Sequence, residues 1–131
     1  MMGSKVSQLN TYFEKKLTEC AGQKAALSAE DRRDEANFCQ IRANIYDIFR
    51  TILSVAERTQ NTDEDVAGFF TKKLREMKNT WAESGKKAAE HGDDSKAAIE
   101  QIKVETAEEI RQVFEETWGE NNDGSGSHKI V

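Results

Sequence analysis

The chain has 131 residues, no proline, 33% charged residues and a formal net charge of -5, with a mean hydropathy of -0.78 and a pI near 5.2. That length suits one compact domain, and the acidic balance argues against a dedicated duplex-DNA binder, which needs a basic footprint to neutralise phosphates. Proline breaks helix interiors and marks many turns, so its absence points to long uninterrupted helices.

The opening MMGSKVSQLN lacks a continuous apolar run, and nowhere does an apolar stretch approach the ~18 residues needed to span a bilayer. Neither a standard secretion signal nor a membrane span is expected, which makes a cytoplasmic location the default. A first helix is predicted over 4–27, where Val6, Leu9, Phe13, Leu17, Cys20 and Leu27 recur at helical spacing with Tyr12 at the border. Ser28 is placed as the N-cap of a second helix over 29–60, with Glu30 and Asp31 at the positive end of its dipole. A connection this short folds the two helices into a hairpin.

On the second helix Phe38, Ile41, Ile45, Ile48, Ile52 and Val55 form a heptad seam. Phe49 and Ala56 flank it, and Cys39, Tyr46 and Leu53 lie beyond them, so the apolar arc spans about 160°. One neighbouring helix cannot cover that arc. The predicted fold is therefore all-α, an antiparallel up-down four-helix bundle over 1–118. Self-association is the other way to bury the excess, with Tyr46, Leu53 or Val104 exposed on an isologous dimer face.

Thr62, with Asp65 three residues on, starts the third helix, over 63–82, which carries Val66, Phe69, Phe70, Leu74, Met77 and Trp81. Lys72, Lys73, Arg75 and Lys78 give it a basic surface, extended by Lys86 and Lys87. The polar ESGKKAAEHGDD at 83–94, with Gly85 and Gly92, reads as a connection. The fourth helix, over 94–118, buries Ile99, Ile102, Ala107, Ile110, Val113 and Phe114, with Trp118 at the edge and Gly119 as a C-cap. Residues 119–131 read as a flexible tail.

No motif fixes a chemistry. Extending the seam of the second helix backwards places Asp31 and Asp34 on the face of Phe38, with Glu35 close by; an up-down topology brings His91, Asp93 and Asp94 into the same region. Carboxylates with one imidazole suit a hard divalent metal such as Mg or Mn, the arrangement of an all-α enzyme acting on a phosphorylated small molecule. Against it, Glu105, Glu108 and Glu109 project from the fourth helix toward solvent and supply no inward partners, and the solvated first turns of a helix give the same acidic pattern. A ferritin-like di-iron centre has less support still, because no Glu-x-x-His occurs and the chain has two histidines.

Cys20 and Cys39 stand at similar heights on the arms of the hairpin; a redox link is geometrically conceivable, and buried unreactive thiols are the plainer reading. The aromatics face inward, which leaves the basic surface without the stacking residues a nucleic-acid site uses. The expected function is a non-catalytic helical-bundle module for protein–protein interaction or assembly, without cofactor, bound to a protein partner or to a second copy. Lys72, Lys73, Arg75 and Lys78 on the third helix and Glu108 and Glu109 on the fourth are its candidate interaction surface. The divalent-metal enzyme with Asp31, Asp34, Glu35 and His91 as ligands is the alternative.

Overall fold

The computed structural model describes residues 2–122. Four helices, α1 (Met2–Ala29), α2 (Arg33–Thr59), α3 (Asp63–Glu90) and α4 (Asp94–Asn122), account for nearly all of them, and the described residues contain no strand. Of the expected tail, residues 119–122 continue α4 and residues 123–131 lie outside the described residues. Gly119 accordingly does not end the helix. No helix among the described residues is long and apolar enough to cross a membrane.

The hairpin α1–α2 turns at residues 30–32, not at Ser28, which stays inside α1. Asp31 takes the left-handed conformation, φ 63°. Its N–H donates to the Ser28 carbonyl at 3.0 Å, and that of Arg32 to the Leu27 carbonyl at 2.8 Å. This is the hydrogen-bond pattern that closes a helix on a left-handed residue. Residues 91–93 repeat it, with Gly92 at φ 76°, Gly92 N–H to the Ala89 carbonyl at 3.1 Å and Asp93 N–H to the Ala88 carbonyl at 2.8 Å. Thr62 caps α3, its hydroxyl accepting from the Asp65 N–H at 3.0 Å, and Asp93 caps α4 by accepting from Lys96 N–H at 3.1 Å.

The expected connection over 83–94 is thus a correction: α3 runs unbroken to Glu90, and only 91–93 turn. Gly85 is a packing glycine. A Cβ there would stand 3.1 Å from the Glu100 Cβ, so its bare backbone is what lets α4 come close.

Two helical hairpins, α1–α2 and α3–α4, pack on each other, and α2 touches all three of the other helices. That contact set is why its apolar arc is wide. The core joins Leu9 and Phe13 of α1, Ile45, Phe49 and Leu53 of α2, Val66, Phe70 and Leu74 of α3, and Ala107, Ile110 and Phe114 of α4. Phe70, Phe114 and Trp118 stack in series, with 4.6 Å between successive ring centroids, and Phe49 meets Phe70 edge-on at 5.9 Å. Such geometry matches the ring quadrupoles and adds to the burial of large apolar surfaces.

Trp118, expected at an edge, is buried. Its indole N–H donates to the Asp63 carbonyl at 3.3 Å, and the buried Lys5 sits over its ring, 5.1 Å from the centroid, while pairing with the Asp63 carboxylate at 3.3 Å. The starts of α1 and α3 and the end of α4 are tied together by that cluster.

Candidate functional site

The proposed metal ligands are not brought together. Among the described residues no group of three or more His, Cys, Asp or Glu side chains could hold a metal ion. Asp31, Asp34 and Glu35 are exposed. Asp31 is committed to the left-handed turn and pairs with Arg33 at 3.1 Å, while Glu35 pairs with the adjacent Arg32, whose guanidinium holds its carboxyl below the ordinary range. The anomaly read from the sequence is therefore a solvated helix start whose carboxylates are engaged by local arginines. His91 lies in the other hairpin turn, where its Nδ1 is 2.7 Å from the Lys87 carbonyl. It borders an open groove of about 820 Å³ along α3–α4, with Lys87, Lys96, Glu83 and Asp93; mixed charge of this kind selects no one ligand class.

The structure corrects the placement of Glu109. Its side chain stays 40% exposed but turns toward α1 and α2, where its carboxylate accepts from Tyr46 Oη at 3.0 Å and from Tyr12 Oη. Lys16 approaches the same carboxylate at 3.7 Å, and the two tyrosine rings meet edge-on at 6.1 Å. Burial, then the hydrogen bond and charge of Glu109, push Tyr12 far above the ordinary phenol value; burial and the same carboxylate do so for Tyr46. Both phenols stay protonated as donors, so the cluster joins three helices. Tyr46 was expected on an exposed dimer face and is buried, as is Leu53. The signal that places them inside is a second heptad row, Cys39, Tyr46 and Leu53 with Phe49 and Ala56, lying beside the first.

Of the charged interaction residues, Lys78 and Glu108 pair with each other across α3 and α4. Arg111 Nε also donates to Glu108 at 3.0 Å, and the Arg111 and Lys78 hydrogen bonds hold the Glu108 carboxyl down at about 2. Lys72, Lys73 and Arg75 are exposed. Lys73 lies over the Phe69 ring at 5.8 Å, and none of the three has an ion pair among the described residues.

The seam read on α2 is divided. Ile45 is buried in the core, and Phe38, Ile41, Ile48, Ile52 and Val55 are half-buried, Ile48 and Ile52 packing against the core, while Cys39, Tyr46, Phe49, Leu53 and Ala56 beside them are buried. Phe38, Ile41 and Val55 also stand outside the core cluster. From Phe38 to Val55 this row runs about 26 Å at ~1.5 Å per residue.

These features define an all-α four-helix bundle with a partly exposed polar junction between α1, α2 and α4 and an apolar row at the edge of α2. Neither the protein-family models, nor the curated proteins, nor the solved structures compared with the chain contain a match to it.

Proposed function

We propose that the protein is a non-catalytic helical assembly module that associates with a second copy of itself through the outer row of α2. The observation that carries the reading is that row: five half-buried large apolar side chains that continue the heptad of the buried Ile45, with Phe38, Ile41 and Val55 outside the core cluster. Heptad rows are covered most simply by a like helix packed knobs into holes, and a two-fold axis would set Phe38, Ile41, Ile48, Ile52 and Val55 against their own copies. The unpaired Lys72, Lys73 and Arg75 add a charged face on α3 for a further protein partner. No specific observation favours the metal-dependent reading.

Sedimentation equilibrium on the intact chain and on Ile41→Asp and Val55→Asp tests the proposal. Both residues stand outside the core cluster, so helical content measured by circular dichroism should be retained. The expected result is a reversible dimer for the parent and a monomer for each variant over the same concentrations. A parent that remains monomeric throughout, or variants that dimerise as tightly as the parent, would overturn it.

A further inference from the structure

Cys20 on α1 and Cys39 on α2 are both buried and both free thiols. They line one side of the α1–α2 hairpin together, in a groove of about 320 Å³ that also takes in Leu17, Lys24 and Ala43. Cys39 points across at α1: its thiol reaches Gln23 Oε1 at 3.8 Å, one helical turn past Cys20. Arg42 reaches Cys39, its Nη2 donating to Cys39 Sγ at 3.2 Å. The two thiols share one groove, and burial pushes the Cys20 thiol up. On the opposite flank a second groove, about 440 Å³, is lined by Phe38, Cys39 and Arg42.

A core that needed only two small apolar residues would be served by alanine, and a cation is a poor neighbour for buried apolar groups. The guanidinium is useful where a sulfur carries negative charge. We propose that Cys20 and Cys39 are a redox pair that closes to a disulfide across α1 and α2 on reaction with a hydroperoxide. The Cys39 sulfur, beside Arg42, attacks one peroxide oxygen as it gives up its proton; the O–O bond breaks, Cys39 becomes a sulfenic acid, and the departing hydroxide takes up that proton and leaves as water. The Cys20 sulfur attacks the sulfenic sulfur as it loses its proton, the S–S bond forms, and the sulfenic hydroxyl leaves with that proton as a second water. Two thiols are oxidised by two electrons and one hydrogen peroxide is reduced to two waters.

Closing the chain between residues 20 and 39 fastens the turn-proximal half of the α1–α2 hairpin and raises resistance to unfolding, because the cross-link restricts the unfolded chain. This inference does not depend on the assembly proposal, since both sulfurs lie on the side of α2 that faces α1.

The experiment uses the full chain, reduced and then exposed to stoichiometric hydrogen peroxide, with thiols counted after denaturation and the product mapped by mass spectrometry. The expected product has no titratable thiol, a mass lower by two hydrogen atoms, and a peptide joining Cys20 to Cys39 within one chain. Cys20→Ala and Cys39→Ala, checked for helical content, should each fail to give that product, and Arg42→Gln should form it more slowly, because the guanidinium no longer faces the negative charge that develops on the Cys39 sulfur. Retention of both thiols would overturn the proposal. So would separate oxidation of each sulfur to sulfinic acid, or disulfides that link two chains. An unchanged rate in Arg42→Gln would remove Arg42 from the mechanism.

Discussion

Phe49→Ala and Phe38→Ala form a matched pair, because both remove a benzyl group from α2 while the structure gives the two rings opposite surroundings. Phe49 is 0% exposed. It makes edge-on contacts with Phe70 at 5.9 Å and with Trp81 at 6.3 Å. Truncating such a residue costs about 3–5 kcal/mol through lost transfer free energy and the cavity left behind. A domain of this size holds roughly 5–15 kcal/mol in all, so Phe49→Ala should leave a marginally stable protein with its melting midpoint lowered by about 15 °C. Phe38 is half-buried and outside the core cluster. Only part of its surface is withdrawn from water and no closed cavity follows its removal, so Phe38→Ala should cost about 1 kcal/mol. Urea unfolding followed by far-ultraviolet circular dichroism reads both values, and parallel transitions with the parent's denaturant slope would show that the difference lies in the folded state. Equal costs for the two substitutions, or a cost for Phe49→Ala below about 1.5 kcal/mol, would refute the assignment of the inner row as the core.

Tyr12 and Tyr46 are the chain's two tyrosines, and both are raised by burial and by Glu109. A raised folded-state value contributes stability below the unfolded value, about 10, and loses it as pH climbs beyond that. A spectrophotometric titration should show no tyrosinate until the protein unfolds in alkali, and an ordinary tyrosine titration in the folded state would contradict the cluster. Glu108 has the opposite sign. Held at about 2 by Arg111 and Lys78, it contributes stability above the ordinary carboxylate range that is lost as pH falls toward that value. Glu108→Gln should therefore flatten the acid limb of the stability curve, with a neutral-pH cost under about 1 kcal/mol because the pair is partly exposed. Asp31→Gly should stabilise by about 1 kcal/mol in thermal unfolding, since glycine adopts φ 63° without strain and the exposed pair with Arg33 contributes little. Gly68→Ala, with open space at the new Cβ, should stabilise by about 0.5–1 kcal/mol, whereas Gly85→Ala, 3.1 Å from the Glu100 Cβ, should gain nothing.

The helix count, the hairpins and the cap at Thr62 were legible because helical periodicity and capping chemistry are local. Which of two adjacent heptad rows on α2 faces inward was not. Arg42 interrupts the inner row, whereas the seam that periodicity favours is apolar throughout yet buries only Ile45 fully; the choice is made by α2 lying against three helices at once. Glycine shows the same limit. Gly85 and Gly92 look alike in a polar stretch, yet one admits a neighbouring helix and the other turns the chain. The acidic start of α2 looked like a ligand set because spacing along one helix says nothing of Arg32 and Arg33 beside it. The Tyr12, Tyr46 and Glu109 junction joins positions 12, 46 and 109 on three helices, a pairing that no local pattern carries.

Hydroxyl-radical footprinting of the intact protein, dilute and concentrated, tests the assembly claim most directly, because it reads individual side chains. The account predicts that Phe38, Ile41 and Val55 are labelled in dilute solution and shielded at high concentration, while the buried Phe49 and Leu53 stay unlabelled in both. Labelling of the outer row that does not change with concentration would contradict it.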